Sequence, residues 1–309
     1  MKLKHFKKSH INTIPITKQL VENIMRETSE ECPFSTFPYV FDLNSHKANK
    51  LHHSGNCVAL SMYLKDKLKK HNIKSILIPA SIPKIYSNPN YLNISHVALA
   101  ILLNLDDAFI CDPAFYFMQP MKISSNSNAI AEILSKDIYK NLPETFVYNL
   151  QFQPRDNKLN PFQIIPGPSF HVKTHKKNDP TDTWNYYLME ILNPDNAISS
   201  FFMSSKQYPF ITYTNKNFEL TLYIKFIDKD TISIKYGNDL LYLGNPSKIP
   251  SHIKDFIKPY MHKHFGPSYE KYFNLPKQVG TKIYNIKDSH KSKKKTKHNT
   301  TRKKFKLPE

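Results

Sequence analysis

The sequence predicts an α+β fold, in which one amphipathic helix packs on an antiparallel sheet and a β-rich meander or barrel follows. Apolar residues recur at helical spacing after Cys57, where Leu60, Leu64 and Leu68 share one face of the helix. Further along the chain, strict alternation of apolar and polar residues over 220–226 indicates a half-buried strand. Both periodicities in one chain indicate that helices and sheets share the fold.

The elements around Cys57 are predicted in chain order. Residues 1–50 combine a basic start with a helix over 17–28, and we expect this segment to pack as a strap beside the helix that begins at Cys57. That helix runs to about His71. Strands follow at 73–79, 94–103 and 108–111, and a turn joins the last two into a hairpin.

Residues beyond 125 are predicted to be richer in strands. A helix over 129–139 precedes a proline-rich segment, and a closing helix begins at Ser251 and ends at Pro259, because proline cannot continue the hydrogen bonds of a helix. Short polar turns separate the strands, as antiparallel hairpins require. These strands are predicted at 210–213, 218–226, 231–236 and 240–243.

The predicted elements divide the chain into four segments. Residues 1–50 are the basic start and N-terminal strap, and residues 51–125 form the core that contains Cys57. Residues 126–280 form the β-rich second part with its closing helix, and residues 281–309 form a disordered basic tail.

Basic residues are concentrated at the C-terminal end of the chain. The formal net charge is +19, and residues 287–309 hold ten Lys or Arg against two acidic residues, so +8 of that charge lies there. Few apolar residues accompany these charges, and we therefore expect disorder. The tail fits non-specific nucleic acid or another anionic surface as a partner, and the alternative is a solubilising tail without a specific partner.

Composition excludes several classes of function. The six glycines form neither a phosphate-binding loop nor a dinucleotide fingerprint, so no cofactor is expected. The three cysteines are scattered, which argues against a disulfide framework and against a metal cluster, so no metal is expected. The sequence contains neither a secretory signal nor a run of eighteen apolar residues that could form a transmembrane segment. We therefore expect an intracellular protein, cytoplasmic or nuclear, or a virion component if the gene is viral.

Three residues of catalytic type occur in order on the predicted elements. Cys57 opens a helix, where unpaired backbone N–H groups and the positive end of the helix dipole favour a thiolate over a thiol. His96 lies in the first strand of the hairpin and can hold a proton, while Asp112 follows the second strand and can orient the imidazole. We interpret Cys32 and Cys111 as core residues, since free cysteine is among the most buried residue types.

Two registers of the hairpin are compatible with the sequence. If the turn centres on Leu105, Asp112 lies opposite residue 98 and shares a face of the sheet with His96. If the turn centres between residues 105 and 106, Asp112 lies opposite Leu99, and the two side chains point to opposite faces. The sequence leaves both registers open.

Three short segments carry a family resemblance. They are Gly55-Asn56-Cys57, Ser95-His96-Val97 and Cys111-Asp112-Pro113. With 39 residues from Cys57 to His96 and 16 from His96 to Asp112, they resemble the transglutaminase-like superfamily of cysteine enzymes, which includes the arylamine N-acetyltransferases. The resemblance covers roughly residues 50–120 and implies a papain-like core. It also implies Cys57 as the acyl-accepting nucleophile, His96 as the acid/base and Asp112 as the orienting residue.

One departure from the family bears on the reaction. The acetyltransferase branch has Arg-Gly-Gly-x-Cys, whereas this chain has His53-Ser54-Gly55-Asn56-Cys57, which keeps one glycine and lacks the arginine. The sequence therefore favours amide or peptide hydrolysis, or transglutaminase-like acyl transfer, through a Cys57 thioester, with a protein or amide as the substrate. One alternative is an acetyl-CoA transferase similar to the arylamine N-acetyltransferases. The other is a non-catalytic basic protein that binds nucleic acid or builds a virion.

The sequence leaves open which groups would bind the oxyanion intermediate of such a reaction. The backbone N–H of Cys57 is one donor, because it lies beside the attacking sulfur. The candidates for the second donor are Asn44, His52, His53 and Asn56. Trp184 is interpreted either as part of a pocket for the acyl acceptor or as an anchor of the core.

Overall fold

The computed structural model describes residues 8–41, 43–81, 96–124, 131–137, 142–153, 169–176, 179–191 and 208–275. Within them the chain folds with two antiparallel sheets, one of eight strands and one of five, and helices pack on both. The predicted α+β class is therefore confirmed. The proline-rich stretch at 154–168 and the basic tail at 281–309 lie outside the described residues, and the disorder and partner of the tail stay predictions.

Of the five described helices, the three that begin at Lys18, Cys57 and Ser251 begin at or within one residue of the predicted positions, and the two at 37–40 and 45–52 were not predicted. The five are α1 (Lys18–Glu31), α2 (Phe37–Val40), α3 (Ser45–His52), α4 (Cys57–Lys70) and α5 (Ser251–Phe265). Thr17 caps α1, because its hydroxyl oxygen accepts the backbone N–H of Leu20 at 3.2 Å. In α4 the predicted apolar face is confirmed, since Leu60, Leu64 and Leu68 are all buried in the core. None of the helices in the described ranges combines the length and hydrophobicity that a membrane crossing requires.

The eight-stranded sheet carries the segments that surround Cys57. Its strands lie in the order β5-β4-β3-β2-β9-β8-β7-β6. Their bounds are β2 (Ile76–Ser81), β3 (His96–Leu102), β4 (Asp107–Cys111), β5 (Met121–Ser124), β6 (Ala131–Asp137), β7 (Leu142–Gln153), β8 (Ser169–Lys176) and β9 (Asp179–Leu188). Ala80 of β2 pairs with Tyr186 of β9, so the sheet continues past residue 125. The division of the chain into four segments stays a prediction.

The β3–β4 hairpin has the first of the two registers. Leu99 pairs with Cys111 and Ala100 with Ile110, which centres the turn on Leu105. Asp112 therefore follows β4 opposite residue 98, on the face that His96 shares. All seven residues of β3 are buried, as expected of a strand covered on both faces.

The second sheet forms a separate hydrophobic core with α5. Its strands lie in the order β1-β10-β11-β12-β13 and confirm the predicted meander. Their bounds are β1 (Phe34–Ser35), β10 (Phe210–Thr214), β11 (Leu220–Phe226), β12 (Ile232–Tyr236) and β13 (Asp239–Gly244). The predicted end of the closing helix at Pro259 is wrong, because α5 continues through the proline to Phe265. Burial of Ile257, Met261 and Phe265 against the sheet offsets the hydrogen bond that the proline removes.

The predicted helix over 129–139 is also wrong. Its described part, residues 131–137, forms β6, which pairs antiparallel with β7 from Ala131↔Tyr148 to Asp137↔Leu142. Helix propensity is a weak preference that tertiary pairing overrides, and here the pairing partner is a long neighbouring strand.

Candidate active site

Cys57 is the first residue of α4, and a capped helix start holds it in place. The carboxamide oxygen of Asn56 accepts the backbone N–H groups of Val58 at 3.1 Å and Ala59 at 3.2 Å. This cap satisfies two of the N–H groups that a helix start leaves unpaired. Cys57 is 3 % exposed and lies at the positive end of the helix dipole.

Buried hydrogen bonds hold the loop before Cys57. Tyr39 Oη accepts the backbone N–H of Asn56 at 3.0 Å and donates to Ser45 Oγ at 3.1 Å. Ser45 Oγ in turn donates to the carboxamide oxygen of Asn56 at 3.0 Å. Gly55 has a φ of +154°, and a Cβ at this position would lie 2.6 Å from the Cβ of Ala59. The packing at this position therefore requires glycine, and Gly55 is the glycine that this chain shares with the family pattern.

His96 and Asp112 meet at the adjoining ends of β3 and β4. His96 Nε2 donates to Asp112 Oδ2 at 2.7 Å, and the same ring hydrogen-bonds the Cys57 side chain. His96 is 3 % exposed and Asp112 is fully buried. The structure thus brings together the three residues that the sequence analysis selected, and their catalytic roles stay a prediction.

Asp112 is a buried carboxylate whose oxygens all have donors. Besides His96, Oδ2 accepts the hydroxyl of Tyr186 at 2.8 Å, and Oδ1 accepts the backbone N–H of Phe115 at 3.2 Å. A buried charge is costly unless it is paired and hydrogen-bonded, so these donors offset the cost of burying the Asp112 carboxylate and fix its orientation.

Tyr186 is the residue of this site that sequence reasoning missed. It lies in β9, 74 residues after Asp112, and it is fully buried. Trp184, Tyr186 and Leu188 stand at alternate positions of a run rich in aromatic residues, which is a sequence signal for a strand, and all three are buried together with Tyr187. No local pattern indicates which residue the hydroxyl contacts, because that depends on the pairing of β9 with β2.

Charge at the site favours a protonated imidazole. Burial lowers the pKa of His96, but the negative charges of Asp112 and Cys57 and the hydrogen bonds to both outweigh burial and raise the pKa to about 10. At neutral pH the ring therefore holds a proton that it can deliver to a leaving group.

The other two cysteines lie in a different environment. Cys32 is 1 % exposed and Cys111 is fully buried, and burial raises the pKa of both thiols far above the usual range. Both therefore remain protonated thiols at neutral pH and pack in the core, which agrees with the interpretation from the sequence. Within the described ranges, no group of three or more His, Cys, Asp or Glu side chains is placed to hold a metal ion.

Aromatic rings stack from His96 along one side of the site. The ring of Phe115 lies 4.3 Å from that of His96, and Trp184 contacts Phe115 edge to face at 3.7 Å, both measured between ring centroids. Trp184 is 7 % exposed and belongs to the core cluster. It therefore serves as a core anchor that also supports the ring beside His96.

The candidates for the second oxyanion donor occupy different environments. Asn44 is exposed and caps the first turn of α3. His52 Nδ1 donates to the carbonyl oxygen of His264 at 2.8 Å, and the ring of His53 packs against Tyr63. Asn56 is fully buried, and its carboxamide nitrogen has no hydrogen-bond partner among the described residues.

Comparison with solved structures finds similarity to arylamine N-acetyltransferases. The NAT3 arylamine N-acetyltransferase from Bacillus cereus, which has a Cys-His-Glu catalytic triad, is 11 % identical with a TM-score of 0.51, covering 85 % of this chain and 94 % of that one. The arylamine N-acetyltransferase from Mycobacterium abscessus is 11 % identical with a TM-score of 0.48, covering 90 % and 92 %. That from Salmonella typhimurium is 10 % identical with a TM-score of 0.49, covering 83 % and 87 %.

The similarity to the Bacillus cereus protein shows that this chain has the fold of an arylamine N-acetyltransferase, with a papain-like core. The superfamily resemblance stated from the sequence is therefore confirmed at the level of the fold. The sequence matches no protein-family model and no curated protein.

Proposed function

We propose that this protein is a cysteine-dependent acyltransferase, in which Cys57 is the nucleophile, His96 the general acid and base, and Asp112 the residue that orients His96. The observation that carries the proposal is the chain of side-chain contacts from Asp112 through the His96 ring to Cys57 at the start of α4. A nucleophile, its base and an orienting carboxylate in this arrangement are the parts that covalent acyl transfer needs.

The first step forms an acyl-enzyme. The Cys57 thiolate attacks the carbonyl carbon of the donor, a sulfur–carbon bond forms, and the carbonyl electron pair moves to the oxygen. When that pair returns, the bond to the leaving group breaks, and the departing thiol or amine takes the proton held by His96. The product is a Cys57 thioester with neutral His96.

The second step transfers the acyl group to an amine. The amine nitrogen attacks the thioester carbonyl and gives its proton to His96, and the sulfur–carbon bond breaks to release an amide. This restores the thiolate and the protonated imidazole, so the two steps form a cycle without any further reactant.

The sequence favoured either amide or peptide hydrolysis or transglutaminase-like acyl transfer. Two observations support transfer of the acyl group to a small amine instead. The Bacillus cereus protein of the same fold is an arylamine N-acetyltransferase with a Cys-His-Glu triad, and Asp112 would act here as the glutamate does there. Cys57 and His96 are each 3 % exposed, and the ring of Phe115 lies 4.3 Å from that of His96, so the site suits a small flat molecule better than a polypeptide. The acyl donor would then be a thioester such as acetyl-CoA.

Acyl transfer can be followed by mass and by product. The full chain is incubated with acetyl-CoA or p-nitrophenyl acetate, the acetylated peptide is identified, and an aromatic amine is then added. We expect one acetyl group on Cys57 that moves to the amine. Cys57→Ser should abolish both events, and the matched variant Cys32→Ala should behave as the unchanged protein.

Two results would contradict the proposal. An acetyl group found elsewhere than on Cys57, or an equal yield of amide from Cys57→Ser, would exclude the nucleophile. An acetyl-enzyme that passes its acyl group only to water would show that the protein is a hydrolase and not a transferase.

A further inference from the structure

We propose that the carboxamide nitrogen of Asn56 and the backbone N–H of Cys57 together bind the oxyanion that forms when Cys57 attacks an acyl donor. The inference deepens the proposed function and rests on it. It assigns the second oxyanion donor, a role that sequence reasoning left open among four residues.

The first observation is an unused donor beside the nucleophile. Asn56 Nδ2 is buried and has no hydrogen-bond partner among the described residues. Buried polar groups are almost always paired, because an unpaired one loses its bonds to water without replacement. A buried N–H group that persists next to a candidate nucleophile therefore indicates a partner that arrives with the reaction.

The second observation fixes which way the carboxamide faces. Its oxygen accepts two backbone N–H groups, from Val58 and Ala59, and the hydroxyl of Ser45. Turning the amide over would place its NH₂ group against those two N–H donors, which is unfavourable. The contacts of the oxygen therefore fix which of the two carboxamide positions the nitrogen occupies, in the residue directly before Cys57.

The third observation concerns the first four N–H groups of α4. The Asn56 side chain accepts those of Val58 and Ala59, and the Asn56 carbonyl oxygen accepts that of Leu60 at 3.0 Å. The N–H of Cys57 is the one of the four without an acceptor among the described residues. The start of α4 therefore offers two unused donors. They are the backbone N–H of Cys57 and the carboxamide nitrogen of Asn56, the residue before it.

These donors act on one step of the reaction. When the sulfur–carbon bond forms, the carbonyl electron pair becomes a negative charge on the oxygen, and both N–H groups strengthen their hydrogen bonds to it. The charge disappears when the pair returns and the leaving group departs with the proton from His96. Alkylation of Cys57 by iodoacetamide is a displacement at a saturated carbon and forms no oxyanion, so the donors contribute nothing to it.

The test compares these two reactions in the same variants. Asn56→Ser and Asn56→Asp both retain an oxygen that can cap α4, and neither retains the NH₂ donor. The rate of acetylation by p-nitrophenyl acetate is divided by the rate of alkylation by iodoacetamide at each pH, which cancels changes in the thiolate fraction. We expect this ratio to fall about a hundredfold, as for loss of one oxyanion donor. The neutral serine variant decides the result, because the aspartate variant also adds a charge.

Asn44→Ser and Asn44→Asp are the matched controls, since Asn44 caps α3 in the same way from an exposed position. Their ratio should not change. A purely structural role of Asn56 would lower both rates together and leave the ratio as in the unchanged protein, which would overturn the proposal. If Cys57 of the unchanged protein reacts with neither reagent, the proposed function itself fails.

A second measurement needs no variant and applies if the Asn56 variants do not fold. An aldehyde adds to Cys57 to form a thiohemiacetal, whose oxygen occupies the position of the oxyanion. In a crystal structure of that adduct, we expect the oxygen within about 3.1 Å of both Asn56 Nδ2 and Cys57 N. An oxygen that points away from Asn56 Nδ2 would overturn the assignment.

Discussion

His96 and His264 are equally buried, at 3 % and 4 % exposed, but they belong to different regions of the molecule. His96 lies in the eight-stranded sheet and donates to the carboxylate of Asp112. His264 lies near the end of α5, in the core of the five-stranded sheet, and its Nδ1 donates to the carbonyl oxygen of His52 at 2.9 Å. Burial lowers the pKa of His264 to about 4, whereas the pKa of His96 is raised to about 10.

The comparison separates the effect of burial from the effect of the partner. Burial disfavours the charged imidazole at both positions, and only a negatively charged partner reverses that preference. A carbonyl oxygen accepts one hydrogen bond but carries no net charge, so His264 stays neutral and joins α5 to α3 as a structural contact. Asp112 therefore converts a buried histidine into a proton donor, while the second region uses the same residue type for packing.

The largest expected difference between the two regions is the loss of activity when the buried histidine of each is replaced. His96→Ala should lower the rate of Cys57 acetylation roughly a thousandfold, because general acid–base catalysis contributes about that much. His264→Ala removes a buried ring from the other core, so we expect lower stability and an acetylation rate within about threefold of the unchanged protein. Acetylation by p-nitrophenyl acetate and thermal unfolding of both variants measure this. Equal losses of activity would show that the two regions do not differ in the way proposed.

The second expected difference is in the pH dependence of stability. The pKa of His264 falls from 6.5 to about 4 on folding, so the stability it contributes is lost as the pH drops from 6.5 to 4, by roughly 3 kcal/mol. The pKa of His96 rises from 6.5 to about 10, so its contribution is complete below pH 6.5 and is lost as the pH rises to 10.

Urea unfolding across this pH range tests both signs. His264→Gln should flatten the acid side of the stability profile, and His96→Gln should flatten the alkaline side. If His264→Gln flattened the alkaline side, or His96→Gln flattened the acid side, the direction of the pKa shift given for that histidine would be wrong.

A smaller difference in acetylation rate is expected between variants of two buried tyrosines, one in each region. Tyr186→Phe removes the hydroxyl that donates to Asp112, so the carboxylate is less well satisfied and oriented, and we expect acetylation to fall about tenfold. The pH profile of acetylation should also shift, which a purely structural role would not produce. Tyr213→Phe is the matched control, because the hydroxyl of Tyr213 donates to the carbonyl oxygen of Tyr260 in the second region. Loss of activity in the control alone would refute this role of Tyr186.

The smallest effect is expected from two hydroxyls that join a helix to a strand. Ser61 Oγ donates to the carbonyl oxygen of Val97 at 3.1 Å and holds α4 against β3, the elements that carry Cys57 and His96. Ser61→Ala should lower the free energy of unfolding by about 1 kcal/mol and slow acetylation slightly. Thr214→Val breaks a similar bond, to the carbonyl oxygen of Ser29 at 2.9 Å, and should cost the same stability without slowing the reaction. Equal slowing in both variants would count against a link between this bond and the site.

Local sequence patterns predicted the parts of the site that depend on near neighbours. The helix that begins at Cys57 was predictable because the apolar spacing of its buried face is a local pattern. The strands that carry His96 and precede Asp112 were predictable from apolar runs on either side of a polar turn. Only the structure selected the register that puts both side chains on one face, since one residue of slippage would separate them.

Patterns failed where a distant segment decided the outcome. Residues 131–137 form a strand because β7 pairs with them, and α5 continues through Pro259 because its apolar face is buried on the second sheet. In both cases the local preference is smaller than the free energy that tertiary contacts supply.

The sequence by itself determined the α+β class, the helix that begins at Cys57 and the order of Cys57, His96 and Asp112, because hydrophobic periodicity acts over a few residues. The tertiary structure decided the register of the hairpin, the donation from Tyr186 to Asp112 and the unpaired nitrogen of Asn56. These features depend on contacts between distant segments and on which polar groups remain unpaired after packing, and neither can be read from local spacing.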